Sequence, residues 1–291
     1  MADGEATGVG AGTFAPRVRI ECGDALNLLR REPSGAFDLC VTSPPYADLV
    51  DYGAGVHGCL PHRYTDWLLP ILDEIGRVLR PGAALALNLG WKHGTDYVDE
   101  TILAAQRRLG YTVWERVAWV KPNPAPTADR ERHLVPSWEP IYVLSRGVPP
   151  FCRDAIRVPY EGRPRDVTNR TLTVGHRGGR RAYARADKPA PARNPLGKDA
   201  GNVLIAAPET SPRWPHPARF PEAVPAFFIR AYCPDGGTVL DPFVGSGTTV
   251  AVAAQLGRNG VGFDLKSDYA AMAERRVWAA AQPRLALGAE R

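Results

Sequence analysis

No apolar run in this chain approaches the roughly 18 residues of a membrane helix. Cysteine is sparse: Cys22, Cys40, Cys59, Cys152 and Cys233 are widely spaced and odd in number, a pattern that yields neither a disulfide framework nor paired metal ligands. Cys59 lies near His57 and His62, but without a second ligand cluster it reads as part of an exposed loop, so no metal site is expected. Cys22 and Cys40 fall in apolar runs and read as core residues. Residues 1–16 are rich in Gly and Ala, carry Asp3 and Glu5, and lack both a basic start and a hydrophobic stretch; this excludes the signal and transit patterns and reads as a disordered tail. Residues 282–291 read as a second tail. Together these absences point to a cytoplasmic location.

What is present fits one enzyme-sized domain, with 291 residues and 44% hydrophobic content. Charge is unevenly spread. The chain carries +5, yet Arg146 to Lys198 holds 13 Lys or Arg against 4 Asp or Glu, a local +9 that leaves about −4 elsewhere. That is a mildly acidic body with one basic stretch, not a general polycation. The stretch includes Arg177, Arg180, Arg181 and Arg185 beside His176 and Tyr183. It has two readings: a solvated insertion without fixed structure, or a region that contacts DNA and orders on binding.

Apolar runs alternate with helical patterns. Strands are expected at Val18–Glu21, Phe37–Val41, Ala83–Leu89, Val113–Val120, Glu139–Leu144, Thr238–Leu240 and Val261–Phe263. Arg63–Leu79 places Trp67, Leu68, Ile71, Leu72, Ile75, Val78 and Leu79 at helical spacing, with Pro81-Gly82 as its stop. Tyr97–Leu109 ends at Gly110, and Pro221–Tyr232 and Thr248–Leu256 are further helices. This alternation predicts a mostly parallel, three-layer α/β domain. The last two strands are covered on both faces only if they complete the sheet beside the N-terminal ones.

Two strand ends carry chemistry. After Thr238-Val239-Leu240, Asp241-Pro242-Phe243-Val244-Gly245-Ser246-Gly247 makes a glycine turn into a helix, where the backbone approaches a ligand and helix N–H groups face it. Thr248 stands where a P-loop needs Lys, and the third glycine of a dinucleotide fingerprint is missing. Asp264, 23 positions beyond Asp241, ends the next strand and is placed to accept from ribose hydroxyls. The alternative is a structural βαβ turn with no ligand.

The earlier end is Thr42-Ser43-Pro44-Pro45-Tyr46, where two prolines stop the strand because neither donates to a ladder. A nucleobase amine is a poor nucleophile, its lone pair being delocalised into the ring. The Ser43 hydroxyl and Pro44 carbonyl are suited to hold its N–H bonds, and Tyr46 offers an aromatic face for an extruded base. The alternative is a serine-capped Pro-Pro turn.

Thr42 to Tyr46, Asp241 to Thr249, and His216-Pro217-Ala218-Arg219-Phe220-Pro221 together closely resemble the beta-class amino-methyltransferases of DNA, from about Arg17 to Arg276. The resemblance implies a Rossmann-like, S-adenosylmethionine-dependent methyltransferase sheet, circularly permuted so that a catalytic half (17–145) precedes a basic target-recognition insertion (146–200) and a cofactor half (201–281). It implies that Asp241, Phe243, Gly245, Ser246, Gly247 and Asp264 bind S-adenosylmethionine, with Asp24 and Phe220 nearby, and that Ser43, Pro44, Pro45 and Tyr46 hold and activate the base. Double-stranded DNA is the implied partner, with a cognate restriction endonuclease as a second. In that family Ser-Pro-Pro-Tyr is typical of N4-cytosine enzymes and Asp- or Asn-Pro-Pro-Tyr of N6-adenine enzymes. N6-adenine or RNA methylation, or a DNA-binding protein without activity, are the alternatives. Trp119, Lys121, Pro122 and Asn123 read as a pocket wall or as a buried Trp and a loop Lys; neither they nor Ser137-Trp138-Glu139 receive a catalytic role.

Overall fold

The computed structural model describes residues 15–47, 61–91, 93–124, 131–160, 172–177, 180–185 and 194–281. They form two compact units, divided between Cys152 and Arg153 and again between Gly201 and Asn202.

The chain begins with β1 (Val18–Cys22), α1 (Ala25–Leu29), β2 (Phe37–Thr42), α2 (Pro61–Val78), β3 (Leu79–Asn88), α3 (Tyr97–Leu109), β4 (Thr112–Val120) and β5 (Trp138–Ser145). The smaller unit contributes a 3-10 turn (Arg153–Ile156), β6 (Leu172–Arg177) and β7 (Arg180–Arg185). Then follow β8 (Val203–Ile205), α4 (Ala223–Tyr232), β9 (Thr238–Asp241), α5 (Thr248–Gln255), β10 (Asn259–Asp264) and α6 (Ser267–Ala281).

The larger unit is an eight-stranded sheet in the order β1-β10-β9-β2-β3-β5-β4-β8, parallel except that β5 runs against both its neighbours. β9 joins the two parts of the chain by pairing with β2, Leu39 opposite Val239 and Cys40 opposite Leu240. All six residues of β2 are buried, as a central parallel strand covered on both faces requires. α1, α2 and α3 pack together as one helical layer, and α4, α5 and α6 as the other. Leu68, Leu72 and Ile75 of α2 meet Leu85 and Leu87 of β3 in the main core.

Two local expectations are corrected. Pro81-Gly82 does not cap a helix: α2 ends at Val78, and the pair lies in β3, where the register with β2 jumps from Phe37–Leu79 to Leu39–Ala84. A bulge accommodates a proline that cannot donate to the ladder. Cys22 is exposed, because β1 is an edge strand; Cys40 is buried as expected. Cys59 and His57 lie outside the described residues.

The smaller unit holds an antiparallel hairpin, with His176 opposite Arg181 and Arg177 opposite Arg180. Elsewhere in it, Val158 bridges Lys198, and Arg157 donates to the Gly197 carbonyl at 3.0 Å and pairs with Asp199 at 2.9 Å.

Candidate active site

The sheet topology gathers the chemistry at one edge. Thr42, Asn88, Val120, Asp241 and Asp264 end parallel strands, and because β5 is antiparallel its first residues, Trp138 and Glu139, arrive at the same edge. Ligands bind at the carboxyl ends of strands in open α/β sheets. A cavity of about 650 Å³ opens there, a volume in the range of small-molecule sites.

One end of the cavity is acidic and built on the glycine turn. Asp241 is buried at the end of β9, and its Oδ1 accepts from Thr42 Oγ1 at 2.6 Å and from the Phe243 N–H at 3.1 Å. Burial pushes its carboxyl up to about 6, against the lowering effect of these hydrogen bonds. Asp264 accepts from Gly245 N–H and Lys266 N–H, both at 2.9 Å, so it fastens the glycine turn to β10. Burial raises its pKa as well. A carboxylate has about four acceptor sites, so this stapling is compatible with a ribose contact. Asp24 caps α1 by accepting from Asn27 N–H at 2.9 Å while lining the cavity.

Gly247 (φ 82°) precedes the first turn of α5, where a Cβ would come within 2.7 Å of the Ala273 backbone. Ser246 Oγ accepts from Arg276, a buried guanidinium on α6 that also donates to Glu222 at 3.0 Å. His216 stands over Gly245. Burial pushes its imidazole down to about 4, and Nδ1 bonds the Ala218 carbonyl at 2.7 Å. It is a neutral wall of the cavity rather than a charge.

The other end is a polar network around Ser43. Ser43 Oγ is 3.2 Å from Asn88 Oδ1 and 3.3 Å from Tyr46 OH, and Tyr46 OH lies 2.8 Å from Glu139 Oε2. Lys121 Nζ donates to Glu139 Oε1 and sits 4.7 Å from the Trp119 ring centroid. The Tyr46 ring fits against Gly90, where any Cβ would approach it to 2.7 Å.

Of the residues expected from sequence, Ser43, Pro45, Tyr46, Asp24, Phe220, Asp241, Phe243, Gly245, Ser246 and Asp264 line this cavity, with Pro44 buried and Gly247 absent from the wall. Arg177, Arg180, Arg181 and Arg185 lie in the hairpin of the other unit. Asn88 was passed over in the sequence, Glu139 was named but given no catalytic role, Trp91 was passed over too, and His216 and Arg219 entered only with the resemblance. The polar ends of β3 and β5 were the available signal for the first two. Among the described residues, no three His, Cys, Asp or Glu side chains are grouped to hold a metal ion.

The lining fits S-adenosylmethionine in kind: Asp24, Asp241 and Asp264 are carboxylates that would accept from ribose hydroxyls or an ammonium, and Phe220 and Phe243 are rings that would cover an apolar or aromatic part. Comparison with known proteins agrees. The family model described as DNA methylase, of the N6/N4 type, matches residues 37–275. The type II methyltransferase M.ScaI of Streptomyces caespitosus is 30% identical over 89% of this chain and 81% of its own. The DNA adenine methyltransferase YhdJ of Escherichia coli K12 is 27% identical over 88% of this chain and 81% of its own. The solved PvuII DNA methyltransferase, titled cytosine-N4-specific, shares the fold with a TM-score of 0.68 and 21% identity, covering 90% of this chain and 87% of that one. Structures of this fold are known with S-adenosylmethionine bound. This chain belongs to the N6/N4 DNA methylase family, enzymes that use S-adenosylmethionine to methylate DNA.

Proposed function

We propose that this enzyme methylates the exocyclic N4 amine of cytosine within a recognised site of double-stranded DNA. The observation that carries this reading is Ser43, a short neutral acceptor at the end of β2, on the wall of the cavity that also holds Asp241. A flipped-out base enters against Tyr46, and its amine donates to the Ser43 hydroxyl and the Pro44 carbonyl, drawing its lone pair out of the ring. Bound S-adenosylmethionine supplies the electrophilic methyl group. Asp24, Phe220, Asp241, Phe243, Ser246 and Asp264 hold it in this reading, with Gly245 and Gly247 shaping the turn. No strong base acts first, because the methylated amine is itself acidic enough to lose its proton.

Target recognition falls to the basic insertion. Its hairpin supports this assignment, since a two-stranded ribbon matches the width of the major groove and arginine pairs with guanine in a bidentate manner. Arg177, Arg180, Arg181 and Arg185 are the proposed DNA contacts. The likeness to type II methyltransferases supports a cognate restriction endonuclease as a partner in the cell.

N6-adenine methylation is the competing reading, favoured by the likeness to an adenine enzyme. Mass spectrometry of nucleosides from DNA treated with the purified protein and S-adenosylmethionine separates the two. N4-methylcytosine is expected. N6-methyladenine alone overturns the base assignment, and methylation confined to RNA removes the DNA substrate.

A further inference from the structure

Asn88 and Glu139 belong to neither strand-end motif, yet they decide how the Ser43 hydroxyl is oriented. Asn88 Nδ2 lies 3.2 Å from both Glu139 Oε2 and the Pro140 carbonyl. Two acceptors on one side of a side-chain amide determine which end is nitrogen. Asn88 Oδ1 therefore faces Ser43 Oγ at 3.2 Å and Tyr46 OH at 3.0 Å.

The hydroxyl hydrogens are then constrained. Tyr46 has one, and the Glu139 carboxylate at 2.8 Å is a closer and stronger acceptor than the Asn88 carbonyl, so the phenol donates to Glu139. Both network neighbours of Ser43, the Asn88 carbonyl and a phenol already committed to Glu139, can only accept from it. The single Ser43 hydrogen points inward, and its lone pairs face the cavity. Lys121 occupies the other oxygen of Glu139 and holds the carboxylate in place.

We propose that Asn88 and Glu139 are positioning residues for Ser43, fixing its hydroxyl as an acceptor for the target amine; this rests on the role of Ser43 under the proposed function. A serine free to rotate spends part of its time donating, and a donating hydroxyl repels an amine N–H. The network removes that state before the base arrives. Glu139→Gln keeps the shape but puts an N–H where an oxygen accepted: turned toward Tyr46 it opposes the phenol hydrogen and Asn88 Nδ2, and turned toward Lys121 it opposes the ammonium, so either orientation loosens the network that holds Tyr46 and Asn88. Asn88→Ala removes the acceptor for the Ser43 hydrogen.

The test is a double-mutant cycle on full-length protein, measuring kcat, KM for DNA and, by calorimetry, S-adenosylmethionine affinity. Asn88→Ala and Glu139→Gln are each expected to lower kcat roughly 100-fold, the scale of a lost catalytic alignment, while KM and cofactor affinity stay unchanged. In a Ser43→Ala background neither change should lower kcat further, because the group they orient is gone. Full multiplication of the two losses, or unchanged kcat in Glu139→Gln, overturns the proposal while leaving the Ser43 role standing. Wild-type kcat in Ser43→Ala removes that role and the proposal with it. Should Asn88→Ala fail to bind cofactor and so prove misfolded, Glu139→Gln completes the cycle alone.

Discussion

Thr42 Oγ1 and Asp241 Oδ1, 199 positions apart in the chain, are joined by a buried hydrogen bond of 2.6 Å. It ties the end of β2, which leads into Ser43-Pro44-Pro45-Tyr46, to the end of β9, which leads into the glycine turn. Under the proposed function, the base side and the cofactor side thus share one joint. Thr42→Val keeps the shape and removes the donor from a buried carboxyl. Loss of about 1 to 3 kcal/mol is expected in urea unfolding, together with weaker S-adenosylmethionine binding. Unchanged values for both would show that the joint carries neither stability nor function.

Asp241 is a buried carboxyl whose charge costs stability, and under the proposed function the same charge serves binding. Its carboxyl is raised to about 6 by burial, whereas an unfolded chain titrates it near 3.8. Between these values the folded state binds the extra proton, so stability falls as pH rises through the window and the full cost stands above it. A shift of this size corresponds to roughly 3 kcal/mol as an upper bound. Asp241→Asn preserves an oxygen for Thr42 and Phe243 without the buried charge. The cofactor-free variant should melt above wild type at pH 8, the gap should close toward pH 4, and cofactor binding should be lost. A Tm difference that does not change with pH would mean that burial of the charge is not the cause.

Much of this architecture was readable from local pattern. Tyr97–Leu109 carries its own periodicity and its own stop at Gly110, and the α3 helix has those bounds. That the last two strands join the N-terminal ones followed from the need to cover them on both faces; that β9 does so by pairing with β2 did not. β8 escaped because Val203–Ile205 is too short to display a period. The hairpin of β6 and β7 escaped because arginine and glycine interrupt its alternation. Site residues outside motifs were hidden for a different reason. Asn88 and Glu139 are 51 positions apart and meet only because β3 and β5 run antiparallel, with Asn88 opposite Ile141. Nothing in either local sequence announces the contact. The place of Asp264 at a strand end was readable, but not its bond to Gly245, which depends on the return of the turn over β10.

Asp264 and Ser43 should separate binding from chemistry. Asp264→Ala removes both the staple of the glycine turn and a cofactor acceptor, so S-adenosylmethionine affinity should fall at least about tenfold, the scale of a charge-assisted hydrogen bond. Ser43→Ala should bind the cofactor normally and lose most methyl transfer. Calorimetry beside a tritiated-methyl assay reads both. Normal turnover by a folded Ser43→Ala protein would remove the amine-orienting role, and normal affinity in Asp264→Ala would place the cofactor elsewhere.

The basic hairpin should reveal itself through salt. Arg177 pairs with Arg180 in the ladder and Arg181 with His176, so three arginines occupy neighbouring register positions. Each phosphate neutralised on binding releases condensed counterions and contributes about 0.9 to the slope of log affinity against log salt. Replacing Arg177, Arg180 and Arg181 with Ala should weaken DNA binding and flatten that slope by roughly 2 to 3, while S-adenosylmethionine affinity stays at the wild-type value. If some of these arginines contact base edges instead, the slope should flatten less and discrimination between target and non-target DNA should narrow. A salt series with the wild-type slope and wild-type discrimination would show that the hairpin touches neither phosphate nor base, and target recognition would then have to come from the larger unit.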